Sequence, residues 1–378
     1  VNKPFRILYI SPNAFLGGAE RAVEIYLRYH NREKYTPLIL FLRDGPLVEE
    51  FQRLGLKVYV APKVKIREVW KYPALLKFIV NIIKVEKIDL VHSVMGYGHF
   101  FGGHAAFWSK TPCVWYQHGP ISSFDTLVSL IPAKGILVNS RYTQNEQQKL
   151  NFRKFLIHII DPPIESQWGK INVVESRNRF RNKIGILPED VLVGSVGRIQ
   201  EWKGQLYFLK AFHEASMRKN NLKAVIVGSA DIGSKEYENQ IKDYITQHHL
   251  EKKVFVTGFI NNLDSAYFAM DIFVHSSTLP EPFGLVITEA MIKKVAVIAA
   301  PFGGPLETII DGKTGFFADP TDTSTLASKI LSLADNSHVR NEIADNAYQF
   351  AQKFLAPQVL AKLERTYDGI LMPLVIKR

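Results

Sequence analysis

Two kinds of hydrophobic pattern alternate along this chain. Short, nearly continuous apolar runs rich in Val, Ile, Leu and Phe read as buried strands. In the first half they predict strands at Phe5–Ile10, Thr36–Leu42, Lys57–Val60, Leu90–His92, Pro112–Gln117, Gly135–Val138 and Phe155–Ile160. Between them lie stretches of helical period, among them Ala19–Tyr29, Pro73–Lys87 and Arg141–Leu150. In the second of these, Leu75, Leu76, Ile79, Ile82, Ile83 and Val85 are expected to form one broad apolar face. The second half repeats the rhythm. Its predicted strands are Leu192–Val196, Ala224–Val227, Val254–Thr257, Ile272–His275 and Ala296–Ala299, and its helices include Gly204–Lys219, Ser234–His248, Leu285–Ile292 and Thr323–Ala334.

Strands that alternate with helices predict parallel sheets covered on both faces. The fold class is therefore α/β, as two Rossmann-like blocks that divide near Asp161-Pro162-Pro163, where the proline pair interrupts regular structure. The expected domains are 1–163 and 164–354. Ligands of open parallel sheets bind beyond the carboxyl ends of the strands, so two facing sheets would place a site in the cleft between them.

Composition narrows the class. A length of 378 residues with 47% hydrophobic content supports two separate cores, and a single cysteine, Cys113, rules out an intrachain disulfide and fits a reducing compartment. The first apolar run is strand-length, so no signal peptide is expected. The longest apolar helix, Tyr72–Val85, is interrupted by Lys77 and Lys84, so no membrane span is expected either. The net charge of +11 is unevenly spread: residues 1–160 hold 22 Lys and Arg against 11 Asp and Glu, and the remainder holds 25 of each. A basic N-terminal half suits an anionic partner or a solvated surface. Lys63, Lys65, Arg67, Lys71 and Lys77, interleaved with Trp70 and Tyr72, are the candidate contact for an anionic membrane.

Four segments carry candidate chemistry. Gly197-Arg198-Ile199-Gln200-Glu201-Trp202-Lys203-Gly204 follows an apolar strand and opens a helix, and two cations there make a diphosphate receptor. Ser276 to Gly284 contains Glu281 between Pro280 and Pro282, and the next helix carries Glu289 about one turn in, so two carboxylates are available for sugar hydroxyls. Phe302-Gly303-Gly304-Pro305-Leu306-Glu307 is a further glycine-rich loop past a strand. Gly17-Gly18-Ala19-Glu20 follows the first strand, but it is not the G-x-G-x-x-G dinucleotide fingerprint. His118 closes an apolar strand, where it suits either a cleft or packing. His92, His99 and His104 lack metal-ligand spacing, and no Asp-x-Asp, HExxH or GxSxG motif occurs, so metal sites are expected to be none.

Taken together these segments resemble glycosyltransferase family 4, the retaining enzymes of the GT-B fold. Gly197-Arg198 with Lys203-Gly204 is similar to the family's GR…KG segment. Glu281 and Glu289 match its Glu-x7-Glu element, with Pro282-Phe283-Gly284-Leu285 as flank. Val297-Ile298-Ala299, Gly303-Gly304 and Glu307 match the family's next strand and loop, and Asp311-Gly312 and Gly315-Phe316-Phe317 its next turn. The usual proline before Val297 is Ala296. Gly17-Gly18 and His118-Gly119 resemble its N-terminal loop and acceptor-side histidine.

The resemblance implies two facing domains with a cleft, and a terminal helix in 355–378 that crosses back onto the N-terminal, acceptor-binding domain. It implies catalytic roles for Arg198, Lys203, Glu281 and His118. It implies donor binding by Gly17, Gly18, Phe259, Phe283, Gly284, Leu285 and Glu289. The co-substrate would be a nucleoside diphosphate sugar of UDP or GDP type, with no further cofactor, and the acceptor a glycan, a lipid-linked or a phosphorylated molecule. The expected location is cytoplasmic, peripheral at the inner face of the membrane. A sugar-nucleotide epimerase of similar architecture, or a non-catalytic nucleotide-sugar-binding protein, stays open as an alternative. No nucleic-acid-binding motif is present.

Overall fold

Strands that are apolar on both faces must be covered on both, and parallel connection through helices does this. In the computed structural model, which describes residues 3–64 and 67–375, β1 (Phe5–Ser11), β2 (Tyr35–Phe41), β3 (Lys57–Val60), β4 (Leu90–Val94), β5 (Cys113–Gln117), β6 (Gly135–Val138) and β7 (Ile157–Ile159) form one sheet. Its order is β3-β2-β1-β4-β5-β6-β7 and every pairing is parallel. A second all-parallel sheet holds β8 (Val191–Val196), β9 (Leu222–Val227), β10 (Val254–Gly258), β11 (Ile272–His275), β12 (Ala296–Ala299) and β13 (Phe316–Phe317), in the order β10-β9-β8-β11-β12-β13. The order reverses between β1 and β4 in the first sheet and between β8 and β11 in the second. Each reversal opens a crevice at the carboxyl ends of the strands.

The chain separates into two compact units, one of Val1–Ile164 with Phe354–Arg378, the other of Glu165–Lys353. The C-terminal helix Ala356–Val375 belongs to the first unit, as the terminal run of the sequence implied. It is tied in by a short parallel bridge between Ile164 and Leu355. Its Val359, Leu360, Leu363, Tyr367 and Leu371 are buried against the β1 side of the sheet. Polar groups within that core bond one another: Tyr367 Oη shares hydrogen bonds with Tyr9 Oη at 2.9 Å and His92 Nδ1 at 2.6 Å, and Tyr35 Oη donates to Asp368 at 2.5 Å. At the start of the second unit, Trp168 Nε1 donates to the Ile292 carbonyl at 2.8 Å and Lys293 Nζ to that of Glu165 at 3.1 Å. These contacts fix the incoming segment against the end of the helix Leu285–Ile292.

Three details differ from the sequence reading. In the helix Tyr72–Val85 the buried face is Leu75, Ile79, Ile82 and Ile83, whereas Val85 is 66% exposed. Two residues advance a helix by about 200°, so Val85 turns away from Ile83. The edge strand β7 is shorter than expected because it has a partner on one side only. The helix Met95–Ser109, with four glycines and no charged residue, has no polar face to announce it. Among the described residues no helix is long and apolar enough to cross a membrane.

Candidate functional site

The loops that leave β8 and β11 flank the crevice of the second sheet, and they are joined backbone to backbone. Gly204 has φ 68°, and a Cβ there would lie 1.9 Å from the Ser276 carbonyl oxygen, so only glycine fits. Thr278 N donates to the Trp202 carbonyl at 2.8 Å, and Ser276 Oγ to the Lys203 carbonyl at 2.9 Å. The loop after β12 closes on the same place. Gly304 N donates to the Glu281 carbonyl at 2.7 Å, and a Cβ on Gly304 would meet Phe283 Cα at 2.4 Å. Three loops that are far apart in sequence thus form one rigid cradle.

Lys203 and Glu281 meet inside it. The Lys203 ammonium pairs with Glu281 Oε1 and lies over the Trp202 ring, 4.3 Å from its centroid. Gln200 fixes that ring by accepting from Trp202 Nε1 at 3.0 Å, and it donates to Asp231 at 3.1 Å. Ser277 Oγ donates to the same Oε1 at 2.5 Å. His275 Nε2 lies 3.0 Å from it. Burial pushes the Glu281 carboxyl up, but the facing His275 and Lys203 outweigh burial and leave it well below the usual carboxylate range. Glu281 is therefore a buried, ionised acceptor.

Arg198 stands on the same loop as Lys203 but is exposed. Its neighbour Ile199 is fully buried and pins the loop, and Gln205 Nε2 donates to the Arg198 carbonyl at 2.8 Å. Glu289, in the helix capped by Gly284, accepts from Tyr267 Oη at 2.9 Å. Burial first, then the Glu289 charge, pushes the Tyr267 phenol well up, so it stays a donor. Leu285 opens that helix, Phe283 is buried beneath the loop, and Phe259 is 61% exposed just past β10.

The remaining candidates belong to the first unit. Gly17 and Gly18 open the helix Gly18–Tyr29 after β1. His118 follows β5 with its ring 4.4 Å from that of Tyr116, and burial pushes its imidazole down to about 3. Its Nε2 is buried without a hydrogen-bond partner among the described residues. Three other histidines of this unit are packing groups: His99 stacks on Trp115 at 5.1 Å and His92 on Tyr9 at 4.4 Å, while His104 bonds the Phe100 carbonyl at 2.6 Å. Among the described residues no group of three or more His, Cys, Asp or Glu is placed to hold a metal.

Two family descriptions match this chain in succession, Glycosyltransferase Family 4 over residues 16–168 and Glycosyl transferases group 1 over 176–350. The chain belongs to glycosyltransferase family 4. Among its relatives is a glycosyltransferase of Methanocaldococcus jannaschii, 25% identical over 285 residues and covering 71% of each chain. Another is the D-inositol 3-phosphate glycosyltransferase of Corynebacterium glutamicum, 27% identical over 222 residues, 56% of this chain and 51% of that one. In structure the chain is similar to HepE of Anabaena in complex with UDP, with a TM-score of 0.85 at 24% identity over 97% of this chain and 100% of that one. Its fold is thus GT-B.

For this glycosyltransferase the sequence reading missed three supports of the site: His275, Ser277 and Tyr267. His275 was visible as the one polar residue closing the run Ile272-Phe273-Val274, directly before Ser276-Ser277. Tyr267 lies 22 residues before Glu289, with no local pattern to link them.

Proposed function

We propose that this glycosyltransferase moves a sugar, with retention of configuration and without a metal ion, from a nucleoside diphosphate sugar to a glycan, lipid-linked or phosphorylated acceptor. The observation that carries the reading is the Lys203–Glu281 pair, a cation and an ionised carboxylate held together where a donor would lie. In the reaction the bond from the anomeric carbon to the phosphate oxygen breaks. A bond to the acceptor oxygen forms on the same face, and the acceptor proton passes to the departing phosphate. Arg198 and Lys203 stabilise the charge that grows on that diphosphate, the work a metal does elsewhere. Glu281 accepts from donor sugar hydroxyls and Glu289 from the ribose. Gly284 and Leu285, at a helix start, and Phe283 and Phe259 complete the donor contacts. Gly17, Gly18 and His118 carry phosphate-cradle and sugar-contact roles by the family resemblance alone.

HepE is described with UDP, with UDP and glucose, and with UDP-glucose, which supports a UDP-type donor here; GDP is the second choice. The name of the Corynebacterium relative supports a phosphorylated acceptor. The test is proton NMR of the first-formed product in excess chelator. Retention, with turnover within about twofold of the chelator-free rate, is expected; an inverted product, or activity that only magnesium or manganese restores, overturns the reading.

The same reading places the enzyme peripherally at the cytoplasmic face of a membrane. Val69 and Trp70 are 60% and 70% exposed, and Lys63, Arg67, Lys71 and Lys77 are exposed around them. Lys65 lies outside the described residues. Tyr72, expected to join this surface, instead packs edge-on against Phe100 and Phe101. Each cation near an anionic leaflet contributes about 1 kcal/mol, and salt screens it. Vesicles rich in anionic lipid are expected to co-sediment several times more protein than neutral ones at low salt, and to release it at high salt. Equal retention on both removes the membrane assignment.

A further inference from the structure

Glu281 is gripped unevenly. Lys203, Ser277 and His275 all converge on Oε1, and among the described residues none of these contacts falls on Oε2. A carboxylate saturated on one oxygen has a defined face to offer, and that face is the other oxygen. The three holders differ in how they are anchored. Lys203 is a long side chain, and in the donor-site reading it turns to the diphosphate when donor binds. Ser277 sits on the same loop as Glu281.

His275 is different. It is the last residue of β11, locked opposite Ala299 in the ladder, and the Ala300 N–H donates to its carbonyl at 3.0 Å. Its side chain is 4% exposed, its Nε2 faces Glu281 Oε1 at 3.0 Å, and its Nδ1 is buried without a hydrogen bond among the described residues. A buried imidazole in that condition is costly unless something uses it. Groups fixed on a strand hold an active geometry better than groups on a loop.

We propose that His275 is a positioning residue: it holds Glu281 Oε1 from the rigid end of β11 so that Oε2 is presented to the donor sugar when Lys203 turns to the diphosphate. The inference rests on the donor-site reading above. It assigns no role to His275 in contact with substrate.

The test compares a nucleoside diphosphate with its sugar conjugate by calorimetry on the full chain, as UDP with UDP-glucose or GDP with GDP-mannose, whichever pair the wild type binds. Three variants differ in reach. His275→Gln places an amide near the Nε2 position, His275→Asn stops near Nδ1, and His275→Leu removes polarity at similar volume. The free diphosphate does not touch Glu281, so its affinity is expected to stay within about twofold in all three. The sugar conjugate is expected to lose at least tenfold in the Asn and Leu variants and to recover to within about threefold in Gln. Should His275→Leu not fold, the Gln and Asn pair decides alone. If the conjugate binds equally well in Asn and Gln, or if the free diphosphate weakens in parallel with it, His275 is a packing residue and the proposal is wrong. If the wild type binds neither pair, the donor-site reading and this inference fall together.

Discussion

Arg198→Ala and Lys203→Ala are each expected to lower turnover at least a hundredfold, but only the second should also lower stability. Removing one preorganised donor to developing charge costs about 10² to 10³ in rate. Both cations stand on the loop after β8, which Gly204 clamps to the β11 loop, so neither should move when the other is removed. Arg198 is exposed, and its loss should change stability by less than about 0.5 kcal/mol. Lys203 is 18% exposed and neutralises a Glu281 that is 8% exposed. Its loss leaves a buried carboxylate with only Ser277 and His275, at a cost of about 1–3 kcal/mol. Turnover with a saturating nucleotide sugar, together with thermal melting of each variant, separates the two effects. Near-normal turnover in a folded double variant would remove the donor site from this loop.

The difference between these two cations was not legible in the sequence, and the reason is general. Arg198 and Lys203 sit symmetrically about one turn in the chain. Only the register of β8 beside β11 decides that Lys203 meets a carboxylate 78 residues away while Arg198 faces outward. What the pattern did carry was local. Buried parallel strands are apolar at every position, and runs such as Gly135–Val138 and Ala296–Ala299 coincide with β6 and β12. The helices Arg141–Leu150 and Leu285–Ile292 also fall where expected, the first opened by Ser140, whose side chain accepts from Thr143 N. The helix Met95–Ser109 escaped because it is apolar all round, and periodicity needs a polar face to register. Glu281 stood out through its flanking prolines. His275 shows only as a polar strand end and Tyr267 not at all, because their meaning lies in tertiary contacts with Glu281 and Glu289.

Acid should weaken the first unit before its carboxylates titrate. Burial pushes both His99 and His118 down to about 3 from an ordinary value of 6.5. His92 is also held well below that value by burial, and His30 is lowered because burial outweighs the Glu364 carboxylate beside it. Each of these imidazoles is neutral when folded and takes up a proton more readily when unfolded. For such groups the full stability is present above pH 6.5 and is lost as the pH falls from there toward the folded value. Between pH 7 and pH 5, His99 and His118 alone should remove about 4 kcal/mol, at 1.36 kcal/mol per unit of separation. Glu281 belongs to the second unit and does not enter this balance. His99 is the informative site: it stacks at 5.1 Å and 5° on Trp115 and shares a 2.7 Å hydrogen bond with Ser93 Oγ. His99→Asn places its amide near the Nδ1 position and so keeps a polar partner for Ser93, but cannot take the proton, so it should cut the pH 7-to-5 loss by about 2 kcal/mol even if it lowers stability at pH 7. Urea unfolding at the two pH values, wild type against His99→Asn, measures that difference of differences. An equal loss in both proteins would mean that His99 is not a neutral imidazole in the folded unit, and that the acid sensitivity of this unit has another source.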